Sequence, residues 1–532
     1  MMKTFFQYTI FLLLTVCVYV NGYAQIIPQP NQLSFGKDTF IISKKARLNY
    51  NIADKQILEI FVEKLEAQTG ISIKTESVSK QKASIILTED ASLKSNNEGY
   101  ELQISKNSIE IKAATNTGLF YGLQSLLQLS TFSKNKSKKI ALPTAKIVDK
   151  PLYEWRGLML DESRHFFGKE KVKELLDWMA FFKLNKFHWH LTDGPGWRIE
   201  IKKYPKLTSV GAKGNWHNPD AAPLFYTQAD IKEIVAYAAK RHIEIIPEID
   251  MPGHAAAANS AYPEFSGGGS KKYPDFTFNP GKEGTYQYLT DILKEVAELF
   301  PSKWIHLGGD EVHYGNHKWK TDSHVQALMK KQNLKTLRDV ENYFLHRMKD
   351  SVLSLNKKMV GWDEIVDANI ASEESMVMWW RHDKPKQLKK ALNKGYETVL
   401  CPRIPLYFDF VQMDAHKWGR KRRGEFCTLD KLYAFPNSLS IAPKRKKQFV
   451  KGIQANVWTE RIQNEDRFDF MIYTRLVALA EAAWTQEKNK NYENFIIRLK
   501  PVLDLFDKNG LYYFNPFYPE LTPEPIGVGK QN

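Results

Sequence analysis

The segment KWIHLGGDE, residues 303–311, joins a short apolar run to two glycines and two adjacent acids. The run around Trp304 is typical of a strand that is buried on both faces. The glycines remove side-chain bulk at a point where a ligand can approach the backbone closely. Because neighbouring side chains of a strand point to opposite faces, Asp310 and Glu311 are predicted to perform different tasks.

Seven further runs of this kind occur between Trp155 and Trp484, and longer amphipathic patterns separate them. The helical pattern of residues 227–242, for example, opens with Thr227 at an N-cap position and Asp230 three residues later. Eight buried strands that alternate with helices predict a (β/α)8 TIM barrel. A doubly wound open sheet is the competing prediction. The seven runs are RGLMLDESR (156–164), KFHWHLTD (186–193), IEIIPEID (243–250), KMVGWDE (358–364), SMVMWW (375–380), YETVLCP (396–402) and GIQANVW (452–458).

The pattern divides the chain into a smaller α/β domain over residues 25–149 and a catalytic barrel over 150–500. In the first part, KASIILTED and NSIEIKAAT are predicted strands, and DKQILEIFVEKLEAQTG and TGLFYGLQSLLQLS are predicted helices. A stretch punctuated by Pro143 and Pro151 marks the boundary. Residues 501–532 form a C-terminal tail that is rich in proline and aromatic residues.

Residues 1–24 have the features of a secretory signal peptide: a lysine, a short apolar run and the small-residue ending Gly22-Tyr23-Ala24. The run is too short to span a bilayer, so the chain is expected to be exported to the periplasm, the cell surface or the medium rather than to cross the membrane. Lipidation at Cys17 is an alternative, although the preceding Val16 fits a lipidation site poorly.

The formal net charge is +16, from 76 basic and 60 acidic residues, with basic clusters at 417–423 and 444–447. No nucleic-acid recognition motif accompanies the clusters, so they are predicted to lie on solvated loops, with a polyanion or membrane-surface contact as the alternative. Cys401 and Cys427 remain after signal cleavage, and the sequence leaves open whether they pair.

The sequence gives little support for a metal site or for a serine or cysteine nucleophile. Histidines are abundant, but none has a convincing metal-ligand spacing, and His188 and His190 equally suit a packed core. No nucleophile elbow or cysteine–histidine motif is present. No metal or organic cofactor is therefore expected.

Polar residues follow the apolar runs at the ends where a barrel carries its active site. Strand beginnings carry mainly Lys, Arg and Glu from helix ends, so this distribution favours a functional edge over general surface decoration. The residues at the strand ends are Arg164, Asp193, Asp250, His254, Asp310, Glu311, Asp363, Glu364 and Glu460.

An ordered series of motifs resembles the β-N-acetylhexosaminidases of glycoside hydrolase family 20. The resemblance covers the barrel to about Trp484, and the upstream domain also resembles that family's usual N-terminal domain. The motifs are DESRHFF, WHLTDGPGWR, IPEIDMPGH, HLGGDEVHYG, VGWDEI, MWWR, PLYFDF and QANVWTE.

The resemblance implies substrate-assisted catalysis, in which the nucleophile belongs to the sugar. Glu311 would be the general acid and later the base that activates water. Asp310 would orient the 2-acetamido group and stabilise the positive charge on its nitrogen. Tyr407 would donate a hydrogen bond to the acetamido oxygen opposite Asp310.

The remaining roles also follow from the resemblance. Arg164 would hold sugar hydroxyls through its forked guanidinium, and Asp409 with Glu460 would bind outer hydroxyls. His254 with Asp193 resembles a relay that tunes Glu311, and Asp250 would support Asp310. Three tryptophans resemble the walls around the acetamido group and one sugar face, whereas Trp380 is expected in the core. The wall residues are Trp362, Trp379 and Trp458.

The implied activity is the exo-acting removal of terminal β-linked N-acetylglucosamine or N-acetylgalactosamine from glycans. A disaccharide-releasing enzyme of the same type and a non-catalytic amino-sugar-binding protein are the alternatives, as is adhesion through the basic clusters. One departure concerns Gly194 and Pro195, where the family often has an acid and an amide. The sequence leaves the shape of that loop, the preferred epimer, the natural glycan and the oligomeric state open.

Overall fold

The computed structural model describes residues 25–52, 54–93, 96–133, 135–136, 139–437, 439 and 448–529. The predicted signal peptide and the basic cluster at 444–447 lie outside these residues. Within the described part of the chain, no helix is both long and apolar enough to cross a membrane.

The N-terminal part is a mixed sheet with two helices, Gln56–Thr69 and Asn116–Thr131. The second helix is buried over most of its length, and Thr115 caps it by accepting a hydrogen bond from the Gly118 amide. The predicted strands and helices of this region are confirmed. In order across the sheet the strands are Gln32–Ile42, Lys139–Asp149, Tyr100–Ile104, Ile109–Ala113, Ile85–Glu89 and Leu48–Asn51, and the short strand Asn135–Lys136 pairs with the start of Lys139–Asp149.

The second part is a closed barrel of eight parallel strands, in which each strand pairs with the next along the chain and the last pairs with the first. The predicted barrel is confirmed, and the open-sheet alternative is wrong because the register Gly452 to Trp155 closes the sheet. From first to eighth, the barrel strands are Trp155–Asp161, Lys186–His190, Glu244–Met251, Trp304–Gly308, Lys358–Trp362, Ser375–Trp379, Glu397–Leu400 and Val450–Val457.

Helices surround the barrel and connect its strands. The predicted cap of one of them is confirmed, because Thr227 accepts from the Asp230 amide and the Asp230 carboxylate accepts from the Thr227 amide. The longer helices of this part are Lys169–Phe181, Gln228–Ala239, Glu283–Leu299, Ser323–Gln332, Leu337–Ser354, Pro385–Asn393, Glu465–Trp484 and Tyr492–Lys508, and the shorter ones include Lys206–Ser209, Ala256–Ala261, Arg403–Leu406 and Leu429–Ala434.

The last long helix, Tyr492–Lys508, runs through residue 500, so it joins the barrel to the segment described above as a tail. That segment packs on its own chain: Phe514 is buried, and the carboxylate of Glu524 accepts hydrogen bonds from the amides of Lys417 and Trp418. The C-terminal segment therefore holds one end of the basic loop 417–423 in place.

The barrel strands are buried on both faces, and the sixth strand shows what each face contacts. Met376, Met378 and Trp380 pack inside the barrel in one cluster, whereas Val377 and Trp379 belong to the larger core that includes the surrounding helices. Side chains of a strand alternate between two faces, and here both faces are apolar.

Candidate active site

A cavity of about 1510 Å³ lies at the carboxyl-terminal ends of the barrel strands. It is the position at which barrel enzymes place their catalytic residues. All but one of the residues to which the family resemblance gives a role line it. These residues are Arg164, Asp193, Asp250, His254, Asp310, Glu311, Trp362, Tyr407, Asp409, Trp458 and Glu460.

The exception is Trp379, and here the prediction is wrong. Trp379 faces outward into the helical shell, whereas Trp380 lines the cavity. The Trp380 indole donates a hydrogen bond of 3.0 Å to Glu364, and its ring lies nearly parallel to that of Tyr407, at an angle of 11°. Trp380 therefore takes the wall position that the sequence assigned to its neighbour.

Asp310 and Glu311 both line the cavity, although they were predicted to point to opposite faces of a strand. The fourth strand ends at Gly308, so strand alternation does not apply to them. Gly308 and Gly309 adopt φ values of 68° and 85°, and Glu311 itself has a φ of 53°. This left-handed turn brings both acids to one side, which the regular alternation of a continued strand would not allow.

Gly308 is required by close packing as well as by its backbone conformation. A Cβ atom at this position would lie 1.8 Å from the Asp250 Oδ1 atom. The glycine thus allows the third and fourth strands to bring the carboxyl groups of Asp250 and Asp310 into one buried region.

His254 contacts both acids and a third carboxylate. Its Nδ1 atom lies 3.1 Å from Asp193, and its Nε2 atom lies 3.8 Å from Asp310 and 3.9 Å from Glu311. Burial lowers the pKa of His254, but the carboxylates of Asp193 and Asp310 outweigh it and raise the pKa to about 9. At neutral pH the ring is therefore a cation placed between the acids.

The pKa values of the buried acids near His254 are shifted in opposite directions. Burial raises the pKa of Asp310 to about 7, with His254 opposing the rise and Glu311 adding to it. Burial and the neighbouring Asp310 also raise the pKa of Asp250 well above its usual range. For Asp193, by contrast, Arg164 and His254 outweigh burial and hold the pKa well below its usual range. A cluster of acids with such divergent pKa values is typical of a catalytic site.

Arg164 is a buried member of the same network. Its Nη2 atom lies 2.6 Å from Asp193 and its Nη1 atom 3.4 Å from Asp161. The guanidinium also lies 4.9 Å from the ring centre of Trp458. Its ion pairs hold its planar fork in a fixed orientation at the cavity wall.

Arg420 is a site residue that the sequence interpretation missed. Its guanidinium forms ion pairs with both Asp409 and Glu460, the two acids assigned to outer hydroxyls. Arg420, Lys421 and Arg422 all line the cavity and are also exposed or partly exposed, so this part of the predicted solvated loop belongs to the candidate site as well. No motif signals this role, because the ion pairs join distant segments of the chain.

Glu248 is a second missed residue and lies beneath the cavity, fully buried. Its carboxylate contacts His188 at 3.0 Å and His306 at 2.9 Å, also contacts His190, and accepts a hydrogen bond of 3.0 Å from the Trp362 indole. Four potential donors therefore surround one carboxylate, which fixes both the wall tryptophan and the histidines.

Three groups of side chains have the composition of metal ligands, with atoms within 4.8 Å of one another. In the first group both histidines contact the Glu248 carboxylate. The predicted absence of a metal stays a prediction. The groups are His188, Glu248 and His306; His190, Asp193 and Asp250; and Asp250, His254 and Asp310.

His190 lies between Glu248 and Asp193, which predicts a pH-dependent contribution to stability. Burial lowers its pKa, but the two carboxylates outweigh burial and raise the pKa to about 10. A raised histidine pKa contributes stability that is fully present below about pH 6.5 and is lost as the pH rises through about 10. The loss of stability caused by His190→Gln is expected to be largest near pH 6 and to shrink towards pH 10.

Chemical unfolding of wild type and His190→Gln at several pH values between 6 and 10 measures this difference. His346→Gln is a control, because that half-buried histidine bonds only to the Ala368 carbonyl among the contacts described. A destabilisation by His190→Gln that stays constant across the range would contradict the assigned charge state.

Two family models match the chain along most of its length. The model described as glycosyl hydrolase family 20, catalytic domain, matches residues 153–487, and the model described as glycosyl hydrolase family 20, domain 2, matches residues 23–150. The chain belongs to glycosyl hydrolase family 20. The family 20 catalytic model thus spans the barrel strands and the whole cavity, and the sequence resemblance to this family is confirmed.

Curated family 20 relatives extend the similarity across both parts of the chain. A β-hexosaminidase of Porphyromonas gingivalis is 34% identical over 505 residues, which are 92% of this chain and 64% of that protein. A β-hexosaminidase of Vibrio furnissii is 36% identical over 407 residues, which are 72% of this chain and 64% of that protein. The chain thus spans slightly less than two thirds of the length of these two relatives.

Solved family 20 structures show the same fold. An exo-β-N-acetylglucosaminidase from Vibrio harveyi, in complex with N-acetylglucosamine, is 32% identical with a TM-score of 0.86, over 93% of this chain and 79% of that chain. A chitobiase from Flavobacterium johnsoniae is also 32% identical, with a TM-score of 0.77, over 91% of this chain and 73% of that chain.

Proposed function

We propose that this family 20 member is an exo-acting β-N-acetylhexosaminidase that removes terminal β-linked N-acetylglucosamine or N-acetylgalactosamine by substrate-assisted catalysis. The observation that carries the proposal is the pair Asp310 and Glu311, which share one cavity and one histidine at the end of a barrel strand. The names of the relatives and of the solved structures support the same substrate class.

The proposed first step breaks the glycosidic bond. Glu311 donates its proton to the glycosidic oxygen while the acetamido oxygen of the substrate attacks the anomeric carbon. Asp310 stabilises the positive charge that develops on the acetamido nitrogen, and Tyr407 donates a hydrogen bond to the acetamido oxygen. The aglycone leaves with the Glu311 proton, and a cyclic oxazolinium remains.

The second step returns the enzyme to its starting state. Glu311, now a carboxylate, removes a proton from water as the water oxygen attacks the anomeric carbon and the acetamido group is released. The side chain of Glu311 is about one-third exposed, whereas that of Asp310 is about one-tenth exposed. This difference supports an acid–base role for Glu311, which must meet the leaving group and water, and an inner role for Asp310.

The cavity wall supports an exo mode of action. Trp362 is held by Glu248, Trp458 lies under Arg164, and Trp380 stacks beside Tyr407. Arg420 joins Asp409 to Glu460 on the same cavity lining. Fixed indoles and ion-paired acids suit one terminal sugar with a flat apolar face and several hydroxyls.

Hydrolysis of three nitrophenyl glycosides tests the proposal. Release of nitrophenol is expected from the β-linked N-acetylglucosaminide and N-acetylgalactosaminide but not from the plain β-glucoside, which lacks the acetamido nucleophile. The ratio of the first two rates measures the epimer preference. Equal cleavage of the plain glucoside would overturn substrate assistance, because an enzyme nucleophile would then be required.

We also propose that the chain is exported to the periplasm, the cell surface or the medium. The lysine, apolar run and small-residue ending of residues 1–24 support this. Sequencing the N-terminus of the protein purified from its native cells tests it. An N-terminus near Gln25 is expected, and a mature chain that begins at Met1 would contradict the proposal.

A further inference from the structure

The charges that line the cavity are arranged by depth. Six of the eight carboxylates that line it are buried around the candidate active site, and the exceptions are Glu311 and Asp383. The basic side chains that line it lie mainly in partly or fully exposed positions after the third, sixth and seventh barrel strands. Two of them, Arg381 and Arg420, pair with buried acids, and the remaining outer cations are Lys272, Lys384, Arg403, Lys421 and Arg422.

Two of these cations share one carboxylate, and a third is adjacent to it in the sequence. Asp383 lies 2.6 Å from an Arg403 nitrogen through Oδ1 and 2.7 Å from an Arg422 nitrogen through Oδ2, and Lys384 is the next residue along the chain. Lys384, Arg403 and Arg422 are called the basic rim below. One carboxylate cannot neutralise three cations, so the basic rim keeps a net positive charge.

A second carboxylate in this region, that of Glu425, makes no ion pair with the basic rim among the contacts described. Glu425 pairs with Arg422 only through the backbone, and its carboxylate lies 3.5 Å from the His382 ring. Within the described contacts, the Arg403 Nε–H group is buried and has no hydrogen-bond partner. The basic rim therefore has an unused donor as well as excess charge.

The basic rim lies beside Trp380, which is part of the cavity wall. The Arg403 guanidinium lies 4.7 Å from the ring centre of Trp380, and the Trp380 ring also lies nearly parallel to that of Tyr407. Lys384 and Arg422 line the same cavity but are more exposed than Asp310, so the basic rim lies towards the cavity mouth. The rest of a glycan whose terminal sugar is bound would leave the site on that side.

The loop that carries Arg422 is held at several points. Glu524 bonds to the amides of Lys417 and Trp418, and Arg420 is paired with Asp409 and Glu460. A fixed loop loses little conformational entropy on binding, which favours recognition by preorganised charges.

We infer that the basic rim binds an anionic substituent, a carboxylate or a sulfate, on the sugar that precedes the terminal N-acetylhexosamine. This inference rests on the proposed function and specifies the aglycone side of the same site. Guanidinium groups match planar and tetrahedral oxyanions through forked hydrogen bonds, and Lys384 adds a point charge.

Two disaccharides that differ in one group test the inference. They carry terminal β-linked N-acetylglucosamine on glucose or, through the same linkage, on glucuronic acid. The ratio of the two kcat/KM values, acid over neutral, is expected to be about three to ten in dilute buffer, as for partly exposed ion pairs, and to fall towards one with added salt. The sulfated glucose analogue separates sulfate from carboxylate recognition.

Two variants should move this ratio in opposite directions. Arg422→Gln removes a rim cation and should lower it, whereas Asp383→Asn frees both guanidinium groups from their shared carboxylate and should raise it. Lys386→Gln is a matched control, because Lys386 is an exposed lysine two residues from Lys384 that does not line the cavity. A control ratio equal to that of wild type supports a local effect of the rim.

The outcomes separate the two proposals. Cleavage of both disaccharides with a ratio near one, unchanged in Arg422→Gln and Asp383→Asn, overturns the rim inference and leaves the proposed function standing. If neither disaccharide nor the nitrophenyl N-acetylglucosaminide is cleaved, the proposed function fails, and the rim inference fails with it. Sulfate recognition without carboxylate recognition would restrict the ligand to sulfate esters.

Discussion

Glu311→Gln is expected to lower kcat/KM for a disaccharide substrate by about 10²- to 10⁴-fold, which is the usual contribution of a positioned general acid. Gln keeps the size of the side chain but has no proton of suitable acidity to donate to the glycosidic oxygen. Glu311 lies in a left-handed turn that glutamine tolerates as well as glutamate does, so the fold should be unchanged.

The leaving group provides the discriminating comparison for Glu311. Dinitrophenolate is a good leaving group and departs without protonation. Cleavage of a dinitrophenyl N-acetylglucosaminide should therefore be slowed much less by Glu311→Gln than cleavage of the disaccharide. Glu264→Gln is a control, because Glu264 is exposed and does not line the cavity. A loss smaller than tenfold on both substrates would remove Glu311 from the acid role.

Arg156→Met is expected to destabilise the protein by about 3–5 kcal/mol, the usual result of removing one partner of a buried ion pair. Arg156 is fully buried, and its two terminal nitrogens each lie 2.8 Å from a Glu98 carboxylate oxygen. It also donates hydrogen bonds to the Lys183 carbonyl and the Tyr121 hydroxyl. These contacts join the barrel to the N-terminal domain. The Arg156→Met substitution removes both hydrogen bonds that Arg156 donates to the Glu98 carboxylate.

Thermal unfolding of purified Arg156→Met, followed by fluorescence and by loss of hydrolysis, measures the effect. Arg47→Met serves as the control, because in the described part of the chain the Arg47 guanidinium bonds only to the backbone carbonyls of Lys44 and Ala46. A surface change of this kind usually alters stability by less than about 0.5 kcal/mol. A melting temperature of Arg156→Met equal to that of wild type would show that the interface does not depend on this ion pair.

The barrel was predictable because its signals are local. Each strand is a short run with both faces buried, and each helix has one apolar face, so hydrophobicity and spacing reveal them without knowledge of their neighbours. The Thr227 cap is equally local, since all of its contacts lie within four residues. The prediction that the sheet closes into a barrel came from the count of eight strands and not from any single strand.

The apolar runs that predicted the barrel strands also led to the wrong prediction for Trp379. Hydrophobicity does not distinguish the inner from the outer face of a strand when both are apolar. The sequence MWW therefore contains a wall residue and a core residue without saying which is which. Only the register of the sixth strand against its neighbours places Trp380 inside and Trp379 outside.

The sequence by itself determined the barrel, the end of the barrel that carries the site and most of the side chains that line the cavity. Apolar runs and strand-end polar residues are properties of contiguous segments, and they can be read one segment at a time. The tertiary structure alone decided the partners: Arg420 with Asp409 and Glu460, Glu248 with three histidines, and Asp383 between two arginines. Ion pairs and hydrogen bonds act over a few ångströms, so they depend on which distant segments the closed barrel brings together.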